Sequence, residues 1–358
     1  MRPNSRLKSG EPLNQLSRTV ILVWAPLSGR TCHGALTCRT KRQTSQKWFQ
    51  AYDQLEEVLL PEAGVARAGH EPVKIAVLDM GINWDDYECY SDLEIIAKYK
   101  DYVGHVDSGS DDQTGHGSAA VSLLVKTCPN ASLYLARDLR TNDPTRIEMT
   151  NAIEWAIEHE VDIITMALGC KEYEPEIAIA IAKARAQQIL ILSANSSSRN
   201  MEHIHFPAKD HHQVSGIWST NGVNRESRDL NPYPDDRQHS LGMFGEDIDI
   251  AEDKPLKRGT SYSTSIAASL AAMLLDSSRQ ETDKVDGLDL FRMKEMRVMT
   301  NVPVGMAKES SDGKYKCIRP WDLLKAEFKP SAGLLTDSQR QKQLAWIRGT
   351  MERLIEKI

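Results

Sequence analysis

The chain of 358 residues has no long apolar run. A membrane-spanning helix needs about 18 or more consecutive apolar residues, and no stretch here approaches that length. Residues 20–27 form the longest early apolar run, but they follow a long polar stretch and lack a clean small-residue cleavage site for a signal peptide. We therefore expect no membrane span, and we predict an intracellular, cytoplasmic protein in preference to a secreted one.

The sequence also lacks paired cysteines of the Cys-x-x-Cys type. Its cysteines are scattered, at Cys32, Cys38, Cys89, Cys128, Cys170 and Cys317. Such spacing is typical neither of a disulfide framework nor of a zinc site, so we expect no metal centre of this kind. Free thiols in a reducing compartment are the simpler interpretation, and they agree with an intracellular location.

Acidic residues are scarce in the first 47 positions, which hold nine Lys or Arg and one Asp or Glu, whereas the whole chain carries a net charge of −6. Because this basic arm is also rich in Ser, Thr, Asn and Gly, we predict that residues 1–46 are largely disordered. An Arg-rich, acid-poor arm also resembles a mitochondrial transit peptide, but a solvated tail is favoured. The acidic remainder has no basic surface interleaved with aromatic residues, which argues against nucleic-acid binding.

The middle of the chain has the pattern of an α/β domain. Beyond a helix at residues 47–60, apolar strands alternate with helical segments from residue 73 to residue 275. Strands that are apolar on both faces indicate a parallel sheet covered on both sides. We therefore predict a doubly wound α/β fold with a mostly parallel central sheet and helices on both faces. The expected parts are a basic arm (residues 1–46), an amphipathic helix with a linker (residues 47–70), a main domain (residues 71–335) and a C-terminal amphipathic helix (residues 336–358).

Three glycine-containing segments, far apart in the chain, supply a carboxylate, an imidazole and a hydroxyl: Asp79, His116 and Ser261. A serine hydroxyl is a poor nucleophile at neutral pH and needs an adjacent base. Histidine suits that role because its usual pKa is about 6.5, and a buried carboxylate can hold the imidazole in one tautomer. Each residue alone is more commonly a cap or loop residue, but the three in this order indicate a catalytic triad.

A triad that attacks a carbonyl also needs a donor for the oxyanion. Asn195 is the candidate, because it stands where the apolar strand pattern of residues 189–194 ends in a polar loop. The alternative is an ordinary loop asparagine. In an open α/β sheet the sites lie beyond the carboxyl ends of the strands, which is where Asp79 and Asn195 are expected.

Residues 74–275 resemble the subtilisin-like serine proteases (subtilases). Five segments carry the resemblance, and in sequence they read Ile-Ala-Val-Leu-Asp-Met-Gly-Ile from residue 75, Thr-Gly-His-Gly-Ser from residue 114, Ile-Ile-Thr-Met-Ala-Leu-Gly from residue 163, Ser-Ala-Asn from residue 193 and Gly-Thr-Ser-Tyr-Ser-Thr-Ser from residue 259. Within the family the chain is most similar to the intracellular subtilase domains of filamentous fungi. The resemblance implies a serine endopeptidase that acts on a peptide or protein, without a cofactor. It also implies that Ala167, Leu168 and Gly169 bind the substrate backbone and that the Ser261 amide is a second oxyanion donor.

Several positions depart from the family pattern. Met80 replaces a threonine or serine whose hydroxyl often helps to orient the aspartate, and Ser265 replaces a proline after the nucleophile. Ser118 and Ala119 replace the threonine and second histidine of the histidine motif, and Ala167 replaces a serine. No triad atom is lost, but an alternative stays open: a catalytically weak or inactive interaction module, for example in fungal immune-type signalling.

Two further segments carry alternatives. The loop that contains Asp107, Asp111 and Asp112 has the oxygen ligands that calcium prefers, but a solvated loop is favoured. In the C-terminal helix, apolar residues recur at helical spacing, at Leu344, Ile347, Met351, Leu354 and Ile358. This face is predicted either to pack on its own domain or to bind a protein partner.

Overall fold

The structure is a computed structural model of the whole chain. It describes residues 33–60, 71–104, 112, 114–138, 146–167, 169–195, 204–233, 240–251, 254–279, 290–311, 313–328 and 335–357.

A nine-stranded sheet runs through the centre of the molecule. Its strands are β1 (Lys74–Asp79), β2 (Ile96–Asp101), β3 (Ser132–Arg137), β4 (Ile163–Met166), β5 (Leu190–Ala194), β6 (Ser215–Thr220), β7 (Ser240–Phe244), β8 (Ala307–Glu309) and β9 (Tyr315–Ile318). They lie in the order β2-β3-β1-β4-β5-β6-β7-β9-β8. Every neighbouring pair is parallel except β8 and β9, which are antiparallel.

Helices cover this sheet on both faces. They are α1 (His33–Leu59), α2 (Trp84–Asp92), α3 (His116–Thr127), α4 (Arg146–Glu158), α5 (Pro175–Ala186), α6 (Thr260–Arg279), α7 (Met296–Val304) and α8 (Asp337–Glu356). Short 3-10 turns occupy Leu290–Lys294, Pro320–Leu323 and Ala326–Phe328. Among the described helices, none combines the length and the apolar character that crossing a membrane requires.

The alternating side chains of β1 show how the layers form. Ile75 and Val77 are buried in a core with residues of α1, α3 and α6, whereas Ala76 and Leu78 are buried in a second core with residues of α4 and α5. Successive side chains of a strand point to opposite faces, so a strand that is apolar throughout must be covered twice. The predicted fold class, a doubly wound and mostly parallel α/β sheet, is therefore confirmed.

The first helix begins earlier than the sequence analysis predicts. It starts at His33 and not at residue 47, so part of the basic arm is helical. Basic side chains anchor this part: Lys41 Nζ lies 3.0 Å from Asp247 Oδ2, and Arg42 pairs with Asp249. Farther along α1, Trp48 stacks on Phe244, with 4.8 Å between the ring centroids. Residues 1–32 and the predicted linker at 61–70 lie outside the described residues.

The last helix packs on its own chain. Four residues of its apolar face are buried in the same core as α1 and α6, namely Leu344, Ile347, Met351 and Ile355. Arg340 Nε donates to the Val58 carbonyl oxygen over 3.2 Å, which ties α8 to α1. The apolar face of α8 is therefore covered by the chain itself. The alternative prediction, that this face binds a protein partner, has no support. Ile358 lies outside the described residues.

Candidate active site

Asp79 and His116 form a hydrogen-bonded pair. Asp79 is the last residue of β1 and is 2% exposed, and His116 is the first residue of α3. His116 Nδ1 lies 2.8 Å from Asp79 Oδ1, an oxygen that also accepts from the Met80 backbone N–H over 2.7 Å. The other carboxylate oxygen, Asp79 Oδ2, is buried and has no hydrogen-bond partner in the described part of the chain.

A glycine allows α3 to approach β1 this closely. A Cβ atom added at Gly117 would lie 2.0 Å from the carbonyl oxygen of Gly81. Any side chain at position 117 would therefore push the start of α3 away from the end of β1. Glycine at position 117 is thus required by the contact between two backbones, which sequence spacing alone does not show.

Asp112 organises the segment before His116. Its carboxylate accepts hydrogen bonds from the N–H and hydroxyl of Ser118, over 2.8 and 2.9 Å. It also accepts from the N–H and hydroxyl of Thr114, over 3.1 and 2.8 Å. Burial would raise the pKa of Asp112, but these hydrogen bonds outweigh it and hold the pKa below its usual value.

The prediction of a solvated loop is therefore wrong at Asp112, which is 9% exposed and bound to its own chain. Asp107 and Asp111, the other two residues considered for calcium, lie outside the described residues. In the residues that the structure describes, no group of three or more His, Cys, Asp or Glu side chains could hold a metal ion. The signal that could have indicated this role for Asp112 is its position four residues before the first residue of a helix, with Ser118 in the first turn.

The charge balance around His116 favours its protonated form. Burial lowers the pKa of His116, but the charge and hydrogen bond of Asp79 raise it more, and the charge of Asp112 adds to this. Lys257 opposes these carboxylates. The net result is a His116 pKa above its usual value.

Ser261 lies at the start of α6, the helix that packs against α3. Its hydroxyl donates to the Ala167 carbonyl oxygen over 3.1 Å, and among the described residues it makes no hydrogen bond to His116. The neighbouring residue, Tyr262, lies with its ring centroid 5.1 Å from that of His116. The start of α6 is therefore next to the Asp79–His116 pair, and Ser261 points toward the end of β4.

Asn195 follows β5 and is fully buried. Its backbone carbonyl accepts a hydrogen bond from the Thr260 hydroxyl, which joins this residue to the start of α6. The side-chain amide lies against Gly216, where an added Cβ atom would be 2.6 Å from Asn195 Oδ1. Neither the oxygen nor the nitrogen of this amide has a partner within the described residues, so Nδ2 is an unused donor.

The segment considered for substrate binding follows β4. Ala167 donates its N–H to the Leu78 carbonyl oxygen over 3.4 Å, and its carbonyl faces Ser261. Gly169 lies close to another loop, since an added Cβ atom would be 2.8 Å from the carbonyl oxygen of Phe206. Leu168 lies outside the described residues. Ala167 is thus in contact with Ser261, although 94 residues separate the two in the chain, while the contact of Ala167 and Gly169 with a substrate stays a prediction.

Ser265 shows how the chain accommodates one of its departures. Its hydroxyl donates to the Ser261 carbonyl oxygen over 3.4 Å, inside the continuous helix α6.

The structure brings Asp79, His116, Asn195 and Ser261 to one edge of the sheet, where the sequence predicts them. It also adds Asp112, Tyr262 and Lys257, whose proximity the sequence did not indicate.

Comparisons with known proteins agree with this architecture. Residues 70–245 match the model of the subtilase family. The matched segment includes Asp79, His116 and Asn195 and ends before Ser261. A subtilisin-like protease het-Q2 from Podospora anserina is 26% identical over 198 residues, covering 49% of this chain and 53% of that protein. This chain therefore spans about half the length of that relative.

The major intracellular serine protease of Bacillus subtilis (strain 168) is 24% identical over 303 residues, covering 79% of this chain and 92% of that protein. Among solved structures, the prenylagaramide maturation protease PagA matches with a TM-score of 0.56 at 17% identity, covering 81% of this chain and 98% of that one. A cold adapted subtilisin-like serine proteinase matches with a TM-score of 0.54 at 20% identity, covering 73% of this chain and 92% of that one. These similarities establish the fold, and the segment 70–245 of this chain belongs to the subtilase family.

Proposed function

We propose that the protein is a serine endopeptidase that hydrolyses peptide bonds in peptides or proteins. The observation that carries the proposal is the hydrogen bond between His116 Nδ1 and Asp79 Oδ1 at the start of the helix that packs on α6, the helix of Ser261. A carboxylate bound to Nδ1 fixes the tautomer in which Nε2 is free to take a proton. The family match and the subtilisin-like relatives support the same chemistry.

In the proposed mechanism, Ser261 attacks the scissile carbonyl carbon. Its hydroxyl must first leave the Ala167 carbonyl oxygen and turn toward His116, a rotation about one side-chain bond. His116 takes the hydroxyl proton as general base and gives it to the leaving amine as general acid, while Asp79 stabilises the imidazolium. Water then hydrolyses the acyl-enzyme by the same steps. No cofactor takes part.

The oxyanion that forms on the carbonyl carbon needs preorganised donors. Asn195 Nδ2 is a buried donor that has no partner among the described residues, and the Ser261 N–H lies in the first turn of α6, where helix N–H groups have no intrahelical acceptor. We propose that these two groups stabilise the oxyanion. Ala167, Leu168 and Gly169 would pair with the extended backbone of the substrate beside it.

A second candidate function is a catalytically weak module that keeps the triad and binds peptides or a partner. The observation that favours it is Asp79 Oδ2, which is buried and has no hydrogen-bond partner among the described residues, and the next residue, Met80, has no hydroxyl that could donate to it. A less firmly held carboxylate would slow catalysis without removing the triad.

A fluorophosphonate probe separates the two candidates, since it reacts only with an activated serine. We expect the full chain to be labelled, and Ser261→Ala to lose both labelling and peptide hydrolysis. Ser277→Ala, at the far end of the same helix, is the matched control and should label like the wild type. Labelling that survives Ser261→Ala would refute the assignment of the nucleophile, and a folded wild type that never labels would favour the binding module.

We also propose an intracellular, cytoplasmic location. The support is the Bacillus subtilis relative, which is described as intracellular. Fractionation of cells that express the full chain tests this. Recovery in a secreted or mitochondrial fraction would contradict it.

A further inference from the structure

Tyr262 lies against the side of the His116 imidazole. The ring centroids are 5.1 Å apart and the ring planes are inclined by 36°. Tyr262 is 5% exposed and directly follows Ser261 in the first turn of α6. Aromatic rings at this separation attract each other, and an aromatic face attracts a cation within about 6 Å of its centroid.

We propose that Tyr262 is a positioning residue for His116: its ring keeps the imidazole aligned with Asp79 and stabilises the imidazolium that forms when Ser261 loses its proton. This inference rests on the proposed role of His116 as general base. It assigns a role to a residue that the triad and the oxyanion donors do not include.

The groups around His116 show what the aromatic ring of Tyr262 adds to the site. Asp79 faces it from β1, Asp112 from the segment before α3 and Lys257 from the segment before α6. Tyr262 contributes an aromatic ring from α6, inclined by 36° to the imidazole. Burial and the charges of Asp79 and Asp112 raise the pKa of Tyr262, so its phenol stays neutral and acts through its ring. A leucine at this position would keep the site apolar but would remove the quadrupole of the ring.

The test is a titration of the His116 imidazole by NMR in the full chain, in the wild type, Tyr262→Phe and Tyr262→Leu. We expect Tyr262→Phe to match the wild type, since the ring is kept. Tyr262→Leu should lower the His116 pKa by about half a unit, because the aromatic stabilisation of the cation is lost. His159, which contacts Tyr134 with ring centroids 5.5 Å apart, is the internal control, and its imidazole signals should be the same in all three proteins.

Turnover provides the second readout. Tyr262→Leu should lower kcat by about threefold to tenfold with little change in KM, and should move the acid limb of the rate profile to lower pH, while Tyr262→Phe restores both. If Tyr262→Leu does not fold, Tyr262→Met replaces it, because methionine fills irregular core space. A His116 pKa that is unchanged in a folded non-aromatic variant, or equally shifted in Tyr262→Phe, would overturn the inference. The NMR titration needs no catalysis, so it decides this point even if Ser261 proves inactive.

Discussion

Lys257 donates a hydrogen bond from its Nζ to the Gly115 carbonyl oxygen, 3.3 Å away, directly before His116. This contact holds a positive charge beside the imidazole, where it disfavours protonation and opposes Asp79 and Asp112. The carboxylates prevail, so the pKa of His116 lies above 6.5. Because the base must be neutral, the acid limb of kcat/KM for the wild type should lie above this pH.

Lys257→Gln should move that acid limb further, to higher pH, by a few tenths of a unit. The reason is that the carboxylates then act on His116 without the opposing charge. The measurement is kcat/KM against pH at constant ionic strength. Lys254→Gln, at an exposed position nearby, is the matched control and should leave the profile unchanged. A shift to lower pH in Lys257→Gln would contradict the electrostatic account.

Met80→Thr should raise kcat, by up to about tenfold. Asp79 Oδ2 is buried and has no partner in the part of the chain that the structure describes, and a threonine hydroxyl at position 80 could donate a hydrogen bond to it. In the wild type the Met80 sulfur accepts only a weak contact from the Thr114 hydroxyl, over 3.1 Å. Met80→Leu is the control, because it keeps the burial and lacks a hydroxyl, and it should not gain activity. Equal rates in all three folded proteins would mean that Asp79 is already well held.

Asp112→Asn should destabilise the fold by about 1–3 kcal/mol at pH 7, since the amide nitrogen cannot accept the bonds that the carboxylate accepts from Thr114 and Ser118. The pKa of Asp112 is lowered in the folded state, so its stabilisation is present above the usual Asp pKa and is lost as the pH falls through the folded value. Urea unfolding at several pH values measures this. The difference between the two proteins should shrink in acid, and a difference that grows there would refute the assignment.

Asn195→Ala should lower kcat by about 10²–10³, because an oxyanion donor is removed while the triad is kept. Labelling by a fluorophosphonate should persist at a slower rate. Asn231→Ala is unsuitable as a control, since Asn231 bonds the backbone of β6. Asn301→Ala, a half-buried position in α7 whose side chain bonds only within that helix among the described residues, serves instead. A variant at position 195 as fast as the wild type would remove this residue from the oxyanion site.

The sequence by itself determined the central parallel sheet and the order along the chain of Asp79, His116 and Ser261. The strands that are apolar on both faces, such as Lys74–Asp79 and Leu190–Ala194, could only be buried on two sides. Elements without this signal were missed: Trp84–Asp92 is acidic and has no buried residue, and Ser240–Phe244 is short and contains glycine. The positions of this helix and this strand are set by contacts with residues that are distant in the chain.

Only the tertiary structure decided the surroundings of His116. Asp112 is the exception, because its partners Thr114 and Ser118 are its neighbours in the chain and surround its carboxylate where α3 begins. Tyr262 and Lys257 are more than 140 residues from His116 in the chain and reach it because α6 packs on α3. Local sequence specifies strands, helices and glycine turns through the backbone, whereas the charge and contacts at one imidazole depend on side chains that meet only when the layers close.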